Sequence, residues 1–235
     1  MLKVWIAAVK PLGDPTLYER WFERMPAYRK DKITRIAAPE GRQRSLAAGA
    51  LEQTVFRSLG LPEEPLRIGR WGKPYFAGRE DLYFNLSHSG DRVMLALSDH
   101  EVGCDVEKMR EGKVSERVAR RFFSKEERAM IGSARDEEQK LERFFRFWTL
   151  KESFLKTTGH GLTVRMDSFC VHLPDTIGGE ISLEQDVDPR EFQLMEWSLR
   201  DGYCYSLCVA ESEDRSGEDI EPEWVDLGRA LSELR

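Results

Sequence analysis

The chain has 235 residues, 40% hydrophobic and 33% charged, a composition that suits a globular protein of one large domain or two small ones. No run approaches the ~20 apolar residues of a membrane span, and neither the four cysteines nor the four histidines fall in a CxxC or zinc-ligand spacing. The formal charge of −6 sits in the last stretch, where residues 211–235 hold nine acids against three bases and leave residues 1–210 formally neutral.

The first element expected is a strand, "KVWIAAV" (3–9). Its apolar run is too short for a secretion signal, and Lys10, Pro11 and Asp14 follow without a small-residue cleavage site. "DPTLYERWFERM" then has helical spacing, with Leu17, Trp21 and Met25 on one face, Asp14 as cap and Pro15 at the first position. Residues 29–44 carry six bases against Asp31 and Glu40. That patch fits an anionic ligand, and it fits a solvated helix face as well. A helix over 39–59 ends at Gly60.

The next loop contains "GRWGKPYF" (69–76). It is not a nucleotide-binding phosphate loop, because Pro74 follows Lys73 and holds the chain extended or turning, which places Lys73 at a rim. Strands are expected near 82–86 and 93–98, with "SHSGDR" as the turn between them. Ser87 and His88 are adjacent and point to opposite strand faces, which argues against a serine nucleophile with its base.

A second round opens with the strand "GCDVEK" (103–108). Asp105 and Glu107 fall on one side, Cys104 and Val106 on the other. Two carboxylates a strand step apart can hold a hard divalent cation such as Mg²⁺; the same pattern also fits an exposed strand face. Helices follow at 114–122 and 125–131, the second with Ser124 and Glu127 as a capping box. A long helix over 136–158 stops at Gly159. On it Trp148, Glu152 and Lys156 share one side, while Phe147, Leu150, Phe154 and Leu155 can face the core. Glu152 could add a third carboxylate and Lys156 could neutralise a phosphate. A surface Glu–Lys pair is the plain alternative.

Short strands near 168–173 and 180–185 and a hairpin over 192–210 on "DG" complete this round, with Cys204 and Cys208 in the core. The element order repeats. The expected fold is therefore α+β: two similar halves, 1–102 and 103–210, with a groove between them. The acidic tail, 211–235, is expected to wrap the surface or fray, with a short helix near "LGRALSELR". Unpaired thiols suit a reducing cytoplasm. Neither a membrane nor a nucleic-acid partner is expected.

Five segments taken together, "GKP" (72–74), "FNLSHSGD" (84–91), "GCDVEKM" (103–109), "RFFSKEE" (121–127) and "FWTLKESFLKTTGHGL" (147–162), resemble the 4'-phosphopantetheinyl transferases of the Sfp type, over about residues 1–210. The resemblance implies that fold, with a pseudo-twofold axis and the active site in the cleft. It implies transfer of phosphopantetheine from coenzyme A to a serine of an apo acyl or peptidyl carrier protein, with adenosine 3',5'-bisphosphate released. Asp105, Glu107 and Glu152 match the acids that bind Mg²⁺, or Mn²⁺ in its place, with the pyrophosphate; all three, with Lys156, are the implied catalytic residues. Lys156 matches the lysine beside that pyrophosphate. Ser87 and His88 match contacts to the nucleotide end, and Lys73 with Pro74 the turn near adenine. Arg29, Lys32, Arg44 and Ser45 fall where contacts to the 3'-phosphate are expected; Arg29 stands where a lysine is common. Either Glu152 or a water held among the acids accepts the serine proton. The helix after Gly112 is where the carrier's acidic helix would dock. Secondary metabolism is the expected setting and a monomer the expected state. A binding module without chemistry is the competing reading, and its mark would be a missing metal acid.

Overall fold

Two hairpins with the same pairing scheme organise the chain. In the first, β1 (Leu2–Ala8) pairs antiparallel with β5 (Arg92–Ser98), which pairs antiparallel with β4 (Tyr83–Ser89). In the second, β6 (Val102–Lys108) pairs with β10 (Tyr203–Ala210), which pairs with β9 (Phe192–Trp197), again antiparallel throughout. The orders β1-β5-β4 and β6-β10-β9 are therefore one topology used twice: first strand, last strand, penultimate strand. The computed structural model describes residues 1–61, 66–69, 73–110, 112, 116–174, 177, 179–210 and 220–233. The expectations at Gly72, at 114–115 and at 211–219 lie outside the described residues.

Each sheet is covered by one long helix. Between β1 and β4 the chain forms α1 (Pro15–Arg24), α2 (Ala27–Arg35), α3 (Pro39–Ser58) and the small hairpin of β2 (Leu66–Ile68) and β3 (Pro74–Phe76). Between β6 and β9 it forms α4 (Glu116–Phe122), α5 (Lys125–Gly132), α6 (Glu137–Thr158) and the short pair β7 (Cys170–His172) and β8 (Ser182–Glu184).

The caps follow the sequence chemistry. Asp14 Oδ1 accepts from the Leu17 amide at 2.8 Å, Ser124 and Glu127 form the reciprocal capping box, and Gly159 ends α6 in the left-handed region at φ 70°. The sequence does not single out α2, because only Arg29 and Ile33 of its nine residues are buried and most of the rest are polar. β4 also runs further than expected. His88 and Ser89 belong to the strand and the turn contracts to Gly90 and Asp91, with Gly90 at φ 54°.

Three apolar layers result. α3 packs on its sheet through Leu46, Leu51, Val55 and Phe56. α6 packs on the other sheet through Phe144, Phe147, Leu150 and Phe154. The facing sides of the sheets meet through Val4, Ile6, Met94, Val106, Tyr205 and Leu207. The two halves thus share a core, and the polar site opens at the rim of that shared layer.

The tail does more than wrap the surface. β11 (Glu223–Val225) adds parallel to β1, and α7 (Leu227–Glu233) buries Leu227, Ala230 and Leu231 in the first half's core. Acidic composition hid this, because the few apolar residues that matter are spaced on one turn of helix. Among the described residues no helix is long and apolar enough to cross a membrane.

Candidate active site

α6 sits unusually close to β6, and Gly103 is the reason. A Cβ there would fall 2.2 Å from the Ser153 carbonyl oxygen and 2.5 Å from the Thr157 amide, both backbone atoms that cannot rotate away. Thr157 Oγ1 donates to the Cys208 carbonyl at 2.9 Å and pins the same helix to β10. With helix and strand in contact, side chains of α6 reach those of β6. Lys156 Nζ lies 2.6 Å from Asp105 Oδ1 and donates at 3.1 Å to both the Cys104 carbonyl and Ser87 Oγ. Burial is the largest influence and works against the lysine's charge, but Asp105, Cys104 and Glu152 together outweigh it and the pKa is raised.

The odd mixture on α6 resolves by direction. Trp148, Glu152 and Lys156 line one small cavity of about 340 Å³ with Leu86, Ser87, His88, Asp105 and Glu107. Lys151 turns the other way. It is fully buried, donates to both carboxylate oxygens of Glu127 at 2.6 and 2.8 Å and to the Phe169 carbonyl at 2.6 Å, and lies over the Phe169 ring. The Lys-Glu pair at 151–152 therefore splits between a structural anchor and the cavity.

Asp105 is buried; Oδ1 is held by Ser87 Oγ at 2.7 Å and by Lys156, whereas Oδ2 is buried without a hydrogen-bond partner. Glu107 Oε2 accepts from Ser89 Oγ at 2.6 Å. Burial raises the Glu152 pKa, and repulsion from Asp105 and Glu107 adds to the rise. The three acids share a wall of the cavity. Among the described residues no group of three or more His, Cys, Asp or Glu side chains is placed so that it could hold a metal ion as it stands.

The small cavity adjoins a larger one of about 710 Å³ at Leu86, His88, Glu152 and Lys156, which line both. Arg29, Lys32, Ser45, Lys73 and Pro74 line the larger groove, together with Tyr28, Ile68, Asn85 and Leu86. Arg29 is buried and ion-paired with Glu52 at 2.7 Å, so its charge is already matched. Ser45 Oγ is buried with no hydrogen-bond partner. Arg44 is not among the groove's lining residues, yet it acts on His88. Burial lowers the His88 pKa, and the charges of Arg44, Lys32 and Lys156 lower it further. Lys73 Nζ donates to the Thr157 carbonyl at 3.1 Å, and burial depresses its pKa to about 8. A third cavity of about 600 Å³ lies behind the β2–β3 hairpin and shares Lys73, Pro74 and Gly159 with the groove, but none of the three acids.

Ser87, Asp105 and Glu107 thus sit at the small cavity and the basic residues along the groove, with Lys156 at the junction. Sequence reasoning missed Ser89, Tyr28 and Ile68. Ser89 had a readable signal, since Asn85, Ser87 and Ser89 form a period-2 polar row on a strand.

Comparison with known proteins shows the family. Residues 101–208 match the 4'-phosphopantetheinyl transferase superfamily. A 4'-phosphopantetheinyl transferase of Bacillus subtilis is 30% identical over 205 residues, 86% of this chain and 89% of that protein. The 4'-phosphopantetheinyl transferase Sfp of Bacillus subtilis strain 168 is 31% identical over 195 residues, 82% of this chain and 85% of that one. AcpT of Escherichia coli K12 is 43% identical over 128 residues, 53% of this chain and 63% of its own. The chain belongs to the 4'-phosphopantetheinyl transferase superfamily. Within it, the likeness to the Bacillus proteins over most of the chain puts it in the Sfp type.

Proposed function

We propose that this chain transfers the 4'-phosphopantetheine of coenzyme A to a serine of an apo acyl or peptidyl carrier protein, releasing adenosine 3',5'-bisphosphate. The observation that carries the reading is the pair of adjoining cavities: a groove of about 710 Å³ with Arg29, Lys32 and Lys73 in its lining shares Lys156 with a smaller cavity lined by three carboxylates. Arg29, Lys32, Ser45 and His88 form the end suited to a 3'-phosphate, with the charge of Arg44 added from outside the lining; Lys73 and Pro74 bound the adenine side. Phosphoryl transfer asks mainly for positioning and neutralisation of charge.

The donor set suits a hard divalent cation. It is all oxygen, and Asp105 Oδ2 is buried with no protein partner, an acceptor that such an ion would satisfy. Asp105, Glu107 and Glu152 would hold Mg²⁺ or Mn²⁺, whose chemistry here is to offset the charge of the pyrophosphate. Lys156 keeps its proton because Asp105 holds it and can donate toward a leaving phosphate oxygen. Glu152, pushed up by burial, suits proton acceptance from the carrier serine, provided it is not at that moment a ligand. Each half supplies part of the groove, so a monomer suffices. The four cysteines are free and buried, in keeping with a reducing cytoplasm. The α4 face, near Phe122 and Trp148, is the proposed docking side for the carrier's acidic helix.

The test is the intact mass of an apo peptidyl carrier protein and an apo acyl carrier protein after incubation with the protein, coenzyme A and Mg²⁺. The expected result is a gain of one phosphopantetheine, abolished by EDTA and by Asp105→Ala, Glu107→Ala or Glu152→Ala in protein that still melts cooperatively. No gain on either carrier while coenzyme A still binds would favour a binding module without chemistry.

A further inference from the structure

β4 and β6 are edge strands of different sheets, and they are joined by side chains instead of a backbone ladder. Asn85 Oδ1 accepts from the Cys104 amide at 3.0 Å, Ser87 Oγ from the Val106 amide at 3.3 Å, and Ser89 Oγ from the Lys108 amide at 3.2 Å. Every second residue of β4 thus meets every second amide of β6 in register, a row that strand alternation dictates. The carboxylates of β6 lie between those amides. Each serine hydroxyl that accepts from an amide also donates to the acid one residue before it: Ser87 to Asp105 at 2.7 Å and Ser89 to Glu107 at 2.6 Å.

A hydroxyl has one proton to give and can accept twice. Ser87 Oγ uses that full capacity, because Lys156 also donates to it. Ser89 donates its single proton to Glu107, and the Lys108 amide fixes where its oxygen sits. We propose that Ser89 is a positioning residue of the acid-lined cavity: anchored to the Lys108 amide, its hydroxyl aims the Glu107 carboxylate, so that the row 85–87–89 of one half sets the spacing of the acids carried by the other. The proposal rests on the metal reading given above. It predicts that the first half tunes metal affinity without supplying a ligand. Ser89 makes this contact through Glu107 and touches no reacting atom. Outer partners of metal-binding carboxylates commonly carry a large share of the affinity.

The experiment reads Mn²⁺ binding by the loss of the free-ion electron paramagnetic resonance signal, in the presence of coenzyme A and without carrier. Ser89→Ala is expected to weaken Mn²⁺ binding about tenfold, and Ser89→Thr, which keeps the hydroxyl, to stay close to wild type. The Lys108 amide freed in Ser89→Ala is solvent-accessible and can turn to water, so the melting temperature should barely move. Because the effect is routed through Glu107, Ser89→Ala should cause no further loss in a Glu107→Gln background. Unchanged Mn²⁺ binding in Ser89→Ala, or an equal loss in both backgrounds, overturns the inference alone. A wild-type protein that takes up no Mn²⁺ overturns it together with the metal part of the proposed function.

Discussion

Lys73 and Lys156 line the same groove, and burial is the largest influence on each, yet their pKa values move in opposite directions. Lys156 has a carboxylate at 2.6 Å, and Asp105, Cys104 and Glu152 together outweigh the cost of burial. Lys73 has a carbonyl, a weaker partner, and burial dominates, bringing its pKa from 10.5 to about 8. The linkage has a definite sign. With the folded pKa below the unfolded one, the folded state binds fewer protons between pH 8 and 10.5. Stability from this group is therefore fully present above 10.5 and lost as pH falls through 8. Lys73→Met removes the titration. Urea denaturation of both proteins at several pH values should show the wild type gaining on the variant as pH rises across that window; parallel curves would mean that the folded lysine titrates normally. The direction suits an anion site, because a bound phosphate would restore the proton that burial disfavours.

At the scale of elements, α6 is held in rotation as well as in distance. Gly103 sets its distance from β6. Its rotation is set from behind by Lys151, whose ammonium joins α6 to the α5 cap through Glu127 and to the start of β7 through the Phe169 carbonyl. Glu127 is saturated in turn by the amides of Ser124 and Val171. Lys151→Met would leave a buried carboxylate unpaired, a loss of about 3–5 kcal/mol, readable as a fall in the urea midpoint with the slope unchanged. Lys151→Met combined with Glu127→Gln should recover part of that loss, since Gln keeps an acceptor for one amide without the charge.

How much of this was legible in the sequence divides along the same line. Caps, the Gly159 stop, the repeated element order and the three acids are local or periodic signals, so they read directly. Lys151 could not be assigned, because periodicity says which side of a helix a residue takes but not what waits there. The pairing of Ser89 with Glu107 joins residues 18 apart on strands of two sheets; only the tertiary fold brings them together. α2 escaped because it is mostly polar, and β11 because three residues are too few to show an alternation.

At the scale of the whole molecule, the acidic tail closes the structure by returning from the second half to the first. Three tryptophan indoles grip it in succession. Trp197 of β9 donates to the Ile220 carbonyl at 2.7 Å, Trp5 of β1 to Glu223 at 3.1 Å, and Trp21 of α1 to the Leu227 carbonyl at 3.0 Å. Arg92 lies against the rings of both Tyr203 and Trp224, so the second half, the first half and the tail meet at one side chain. The first half's core is incomplete without α7, because Leu227, Ala230 and Leu231 are nearly wholly buried in it. Burying two leucines is worth roughly 1.5–3 kcal/mol each, a large part of the few kcal/mol by which a domain is stable. Deletion of residues 221–235 should therefore destabilise the first half first. Hydrogen exchange would show α1, α3 and β1 losing protection while β10 and α6 keep theirs, and tryptophan emission would shift red as Trp5 and Trp21 become wet. Coenzyme A binding should weaken with it, since Arg29, Lys32 and His88 stand on that half, although no described residue of the tail lines the groove. Uniform loss of protection across both halves would instead mean that the shared layer between the sheets makes the chain one cooperative unit, with the tail as its last contributor.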